Sequence, residues 1–167
     1  GVKYDAHHSI TTIDPPEVNA FIKREYPEIE RHKPELSMFQ LVEKKGLPTR
    51  LSRFCCEHLK ENGGNDRLIV TGVRSDESHK RKDRELIHKD TRPHFKKAYL
   101  NIIIDWNEGE VWNYIYENNL KYPPLYDSGC MNRVGCIGCP LTSPKQIKIE
   151  FKKYPHIVRG YKKAIKK

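Results

Sequence analysis

No stretch of this chain approaches the roughly 18 consecutive apolar residues of a membrane-spanning helix, so no such span is expected. Internal repeats and low-complexity linkers are also missing, and the opening Gly1-Val2-Lys3-Tyr4-Asp5-Ala6-His7-His8 has neither the basic flank nor the apolar run of a secretory signal. Cysteine is sparse and odd in number, five in 167 residues, which argues against a disulfide framework and predicts a reducing, cytoplasmic setting. Acidic residues are absent from Lys152 to Lys167, where seven basic ones stand: Lys152, Lys153, Arg159, Lys162, Lys163, Lys166 and Lys167. That tail supplies most of the formal net charge of +9. It suits a polyanion such as nucleic acid, an acidic partner, or a solvated helix face.

What is present is dominated by the placement of the cysteines. Cys55-Cys56 is followed about 80 residues later by Cys136-Ile137-Gly138-Cys139, so four of the five form two close pairs. Adjacent cysteines strain badly if bonded to each other, but on a helix they diverge by about 100° and share one broad face. The second pair, flanked by Gly135 and Pro140, has the form of a zinc knuckle, whereas the first pair does not. A [4Fe-4S] cube, with its iron corners spread over several ångströms, accommodates adjacent cysteines more naturally than a single ion. Cluster, zinc and unliganded structural thiols are the three readings of these residues. Cys130 is a spare, read as a partly buried or free thiol.

At 37% hydrophobic residues the chain suits one domain, with an α/β part over 1–105 and a helical, cysteine-bearing and basic part over 106–167. Ser9 to Ile13 favours β structure. Asp14-Pro15-Pro16-Glu17 then predicts a helix from about Pro16 to Tyr26, with Asp14 as its cap. Further helices are expected over Leu36–Val42 and Phe54–Lys60, the latter stopping at Gly63-Gly64. Arg67–Val73 reads as a buried strand, and Tyr99–Ile104 as a second extended segment. Asn107 and Glu110 mark a helix running to about Asn118, with Val111, Trp112, Ile115 and Tyr116 expected in the core. Ser143-Pro144-Lys145-Gln146 opens another. The charged loop after the Arg67–Val73 strand leaves the carboxyl end, where α/β sheets bind ligands, so Arg74, Arg81 and Arg84 are candidates for anionic oxygens; an internally paired surface loop is the alternative.

Together, Arg53-Phe54-Cys55-Cys56-Glu57-His58-Leu59-Lys60, Thr71-Gly72-Val73-Arg74-Ser75-Asp76-Glu77-Ser78, Asp105-Trp106 through Ile115, and Leu125-Tyr126-Asp127 leading to Cys136 and Cys139 resemble the phosphoadenosine phosphosulfate (PAPS) reductase family. The paired cysteines resemble its iron-sulfur branch, which includes adenylyl-sulfate reductases. The resemblance implies a partial Rossmann-like α/β sheet of the adenine nucleotide alpha hydrolase kind, with a cysteine-rich helical C-terminal region. It implies a [4Fe-4S] cluster on Cys55, Cys56, Cys136 and Cys139, Lys60 between cluster and substrate, and Arg74 on the anionic part of a sulfonucleotide. Arg81 and Arg84 are weaker candidates.

Two family features have no match. The glycine- and serine-rich loop resembling Ser-Gly-Gly-Lys-Asp-Ser is not found, so a fragment lacking the first strand, that loop and the first helix is expected. The family attacks the substrate sulfur with a C-terminal cysteine, forming a thiosulfonate that a thioredoxin-like donor resolves; no cysteine follows Cys139, and Cys130 is placed unlike that nucleophile. The resemblance therefore implies part of a sulfur-metabolism enzyme, with sulfur modification of DNA or tRNA on the same fold, or a four-cysteine zinc module binding nucleic acid, as alternatives.

Overall fold

A computed structural model of the chain describes residues 1–129 and 134–166. It divides by packing into two units, Gly1–Asn62 with the segment from Tyr122 onward, and Gly63–Lys121. Among the described residues, no helix is long and apolar enough to cross a membrane.

The first unit opens with a short strand β1 (His7–Ser9), a helix α1 (Pro16–Glu25) and a strand β2 (Glu30–His32). β1 and β2 pair in parallel, His7 opposite Glu30 and Ser9 opposite His32. The intervening helix is the crossover that a parallel pair requires. α1 starts where Pro16 predicts, but Asp14 does not cap it: the cap position is Pro15, with no side-chain hydrogen bond. The Asp14 carboxylate instead accepts from the Thr11 backbone N–H at 2.7 Å and the Thr11 hydroxyl at 2.6 Å. These donors lie upstream, so they turn the carboxylate away from the helix.

Helix α2 (Met38–Lys45) begins in a reciprocal capping box between Ser37 and Gln40 and ends at Gly46, whose φ of +76° suits glycine. Its buried Met38, Leu41 and Val42 pack against Ile157, Tyr161 and Ala164 of α6 (Pro155–Ile165). Gly160 permits this approach, since a Cβ there would come within 2.4 Å of the Phe39 ring. Helices α3 (Phe54–Leu59) and α5 (Pro144–Lys153) complete the unit, α5 capped by the Ser143 hydroxyl as its sequence predicts. Tyr154 separates α5 from α6, is buried, and donates its hydroxyl to the Glu17 carboxylate of α1 at 3.1 Å. The basic residues of α6 and its C-cap point outward: Arg159, Lys162, Lys163 and Lys166 are all exposed.

The second unit holds strands β3 (Leu68–Thr71), β4 (Ile87–Lys89) and β5 (Ala98–Asn101). β5 is central, parallel to β3 and antiparallel to β4. β3 is the expected strand, but it is not buried: Leu68 and Val70 are each 55% exposed. Alternation along β3 leaves one set of side chains uncovered, whereas a strand buried on both faces needs a layer on each. Fully buried Asn101 ties the sheet to its loops, accepting from the Thr71 hydroxyl at 2.6 Å and donating to Glu85 O at 2.8 Å.

Helix α4 (Glu108–Glu117) has the expected capping box of Asn107 and Glu110. Its aromatic face does not form a core. No α4 residue is buried, and Tyr116 is 59% exposed, lying against Trp112 with ring centroids 5.8 Å apart. The helical spacing aligns these rings correctly, but the rings cover one another along the helix surface.

Candidate metal centre and anion-binding loop

In the first unit, α3 presents Cys55 and Cys56 from consecutive positions, anchored by buried Leu59. Lys60 follows as the C-cap, its backbone N–H bonded to Cys56 O at 2.9 Å. The second pair sits on a turn closed by Cys139 N–H on Cys136 O at 3.3 Å. Fully buried Ile137 pins that turn to the segment before α1, its N–H donating to Ile13 O at 2.9 Å. Gly138 has φ +74° and donates its N–H to buried Glu150 at 2.8 Å; a Cβ there would meet Phe151 at 2.6 Å. Arg50, just upstream of the first pair, reaches Pro140 O at 3.1 Å and joins the two cysteine segments.

All four of these cysteines are partly buried free thiols. Cys55 and Cys56 share a hydrogen bond that holds Cys55 protonated and pushes its pKa up, while the same bond draws that of Cys56 down, helped by Lys60 and Arg53. Burial pushes the Cys136 thiol up, against the pull of the Lys60 charge. For Lys60, burial disfavours the ammonium, but Cys136, Asp14 and Cys56 outweigh it and raise its pKa. The Tyr161 hydroxyl is pushed up by burial and by the charges of Cys136, Cys55 and Cys139, and its ring edge would lie 3.6 Å from a Cβ at Gly138.

The donor set fits a soft metal centre, being four thiols beside one cation. One zinc ion with bonds of about 2.3 Å requires sulfurs about 3.8 Å apart. Among the described residues, no three of the four cysteine sulfurs lie within 4.8 Å of one another.

Thr11, Asp14, His8 and Tyr161 were not singled out by sequence reasoning as neighbours of the cysteines. The Cys136 thiol donates to the Thr11 hydroxyl at 3.5 Å. His8 feels both Asp14 and Lys60, its Nδ1 is buried without a hydrogen-bond partner, and burial lowers its pKa. The chain separations involved leave no local spacing that would reveal these contacts. Cys130 lies outside the described residues.

In the second unit, Arg74 and Arg81 converge on Glu77. Arg74 Nε lies 3.8 Å from Glu77 and its Nη1 3.7 Å from Asp76, while Arg81 pairs directly with Glu77. Arg74 is only 15% exposed at its side chain, yet its buried Nη1 has no hydrogen-bond partner. Ser75 N–H fixes the loop to Ile104 O at 2.8 Å, and a depression of about 520 Å³ beside it is lined by Ser75, Ser78, His79, Lys82 and Asn107 together with the acidic Asp76 and Asp105. Arg74, Arg81 and Arg84 are all outside that lining, and Arg84 is exposed.

Residues 11–142 match the phosphoadenosine phosphosulfate reductase domain. The chain belongs to this family. Among curated relatives, it is 34% identical over 127 residues to an adenosine 5'-phosphosulfate reductase of Oceanobacillus iheyensis, covering 71% of this chain and 52% of that protein. It is 29% identical over 143 residues to an uncharacterized protein of Methanocaldococcus jannaschii, covering 75% of this chain and 29% of that protein. The chain thus spans about half the length of the former and under a third of the latter. In three dimensions it resembles the phosphoadenylyl-sulfate (PAPS) reductase of Candida auris, solved as a phosphate complex, with TM-score 0.55 and 19% identity over 79% of this chain and 68% of that one. The PAPS-reductase fold is therefore the architecture of this α/β chain.

Proposed function

We propose that this chain is the cluster-binding and anion-contacting portion of a sulfonucleotide reductase, acting on adenosine 5'-phosphosulfate or its 3'-phosphorylated form. The observation that carries the reading is Lys60, a solvent-accessible residue next to the first cysteine pair whose ammonium charge is sustained by Cys136 and Cys56, in a chain 34% identical to an adenosine 5'-phosphosulfate reductase. Cys55, Cys56, Cys136 and Cys139 are the four ligands, and a bound [4Fe-4S] cluster would supply a fixed, polarisable charge whose potential depends on hydrogen bonds and burial. Lys60 offsets that charge and offers an ammonium to a sulfonate group. Arg74 supplies a guanidinium for nucleotide oxygens, with Arg81 helping to hold the loop through Glu77 and Arg84 in a weaker role. The attacking thiol and a thioredoxin-like electron donor complete the reaction from outside the four-cysteine set.

Anaerobic purification followed by iron, sulfide and zinc analysis tests the ligand set, and sulfite release by the intact protein tests the activity. Brown protein with four irons and four sulfides per chain is expected. Colourless protein with stoichiometric zinc would replace the cluster by the zinc module. The exposed basic face of α6 favours a second reading on the same fold, sulfur modification of DNA or tRNA, in which those side chains meet backbone phosphates. Salt-sensitive nucleic-acid binding without sulfite release would decide for it.

A further inference from the structure

The geometry points to a second metal site, unrelated to the cysteines: a zinc ion held by His7, Glu30 and His32 on the β1–β2 ladder. The parallel register sets His7 opposite Glu30 and Ser9 opposite His32, so these side chains leave the same face of the ladder. Alternation along β1 sends His8 the other way, and it is His8 that feels Lys60 and Asp14 of the cysteine region. The two sites are thus on opposite faces of one strand.

One ligand atom from each of His7, Glu30 and His32 falls within 4.8 Å of the other two. His7 Nδ1 is 2.8 Å from His32 Nε2, and the Glu30 oxygens lie 3.6 Å from His7 Nδ1 and 3.6 Å from His32 Nε2. Tetrahedral zinc with bonds of about 2.0–2.1 Å separates its ligands by about 3.3 Å, a value these distances bracket. Two imidazoles and a carboxylate form a recognised zinc set, and exposure leaves a fourth position for water.

Asp5 adds what an accidental surface cluster would lack. Its carboxylate lies 2.7 Å from His7 Nε2, the nitrogen facing away from the other ligands. Accepting the Nε2 proton fixes the tautomer that leaves the Nδ1 lone pair directed at Glu30 and His32. Without metal, His32 Nε2–H satisfies that lone pair; on binding, His32 moves its proton to Nδ1 and both imidazoles donate to zinc. The ion would then clip together two three-residue strands, adding stability by mass action.

The test is a titration of the ¹⁵N-labelled chain with zinc chloride, following the ring nitrogens of His7 and His32 by NMR. Those resonances are specific to this site even while the cysteines take metal. Saturable shifts of both rings at one equivalent beyond the cysteine demand are expected, retained in Cys136→Ser. His32→Ala should weaken binding at His7 at least tenfold, and Asp5→Asn about tenfold, as expected for loss of an orienting carboxylate. All four side chains are at least 36% exposed, so these variants should keep the wild-type circular dichroism. Rings unmoved by a tenfold excess of zinc, or an unchanged affinity at His7 in His32→Ala, would overturn the site.

Discussion

The thiol of Cys136 lies 3.5 Å from the hydroxyl of Thr11, across 125 positions of chain. The Thr11 hydroxyl passes its own proton toward Asp14, 2.6 Å away, so the second cysteine turn and the segment before α1 share one polar chain. Thr11 is only 1% exposed. Thr11→Val keeps the shape but leaves the partly buried Asp14 oxygen and the Cys136 thiol without that partner, at an expected cost of about 1–3 kcal/mol. Urea denaturation followed by far-UV circular dichroism checks this, and Thr11→Ser should recover most of the loss.

Gly138→Ala should be among the more damaging small substitutions. Its φ of +74° disfavours any side chain, and the added methyl would lie 2.6 Å from the Phe151 ring. Strain at a left-handed position together with overpacking is expected to cost about 2–4 kcal/mol. Because Gly138 sits between Cys136 and Cys139, alkylation of native protein should become faster at both, as read by mass spectrometry.

Cys136→Ser addresses the ligand set directly. Serine preserves the size of the side chain but replaces a soft thiolate by a hard hydroxyl, a poor match to iron-sulfur chemistry. Iron and sulfide per chain should fall well below four in protein prepared anaerobically. Full iron retention would remove Cys136 from the set.

Much of the candidate site is a local sequence pattern. Two cysteines in adjacent positions, a lysine one helical turn later and a Cys-Ile-Gly-Cys turn are short patterns that survive without tertiary information, as are the Ser37, Asn107 and Ser143 helix starts. Thr11, Asp14 and Tyr161 reach the cysteines only through the packing of α1, α2 and α6, which no local spacing records. The same reasoning explains the errors in the second unit. An apolar run marks β3, and helical spacing aligns the aromatics of α4, but neither says whether another layer covers them; here Leu68, Val70 and Tyr116 remain open to solvent. Asp14 misled for another reason, since a carboxylate before Pro-Pro has donors on both sides and Thr11 takes it first.

Arg74→Ala should weaken binding of an anionic adenine nucleotide by the intact protein. A charge-assisted hydrogen bond to a buried guanidinium contributes about 1.5–3 kcal/mol, which corresponds to roughly a 10- to 150-fold loss of affinity. Arg74, whose buried Nη1 makes no hydrogen bond and has only the Asp76 carboxylate at 3.7 Å, is the stronger candidate, and Arg84→Ala, at an exposed position, should change affinity much less. Calorimetric titration of both variants separates these roles, and equal affinities for Arg74→Ala and wild type would remove Arg74 from the site.

Asp90 provides a pH test confined to the second unit. Hydrogen bonds from Arg92, led by its side chain at 2.6 Å and 2.9 Å, hold the carboxyl well below the usual carboxylate range, and the Tyr99 hydroxyl adds another at 3.2 Å. The Asp90 side chain is 4% exposed and that of Arg92 40%, so solvent screens one partner and the pair should contribute about 1 kcal/mol. A folded pKa below the unfolded value means the unfolded chain binds the proton more readily. The stabilisation is therefore complete above the unfolded carboxyl pKa of about 3.9 and is lost progressively as pH falls below it. Both tryptophans, Trp106 and Trp112, lie in this unit, so their fluorescence during urea denaturation reports its unfolding. Asp90→Asn should lower the midpoint at pH 7, and the gap from wild type should narrow as pH falls from 4 to 2; a constant gap over that range would show that the Asp90 charge contributes nothing.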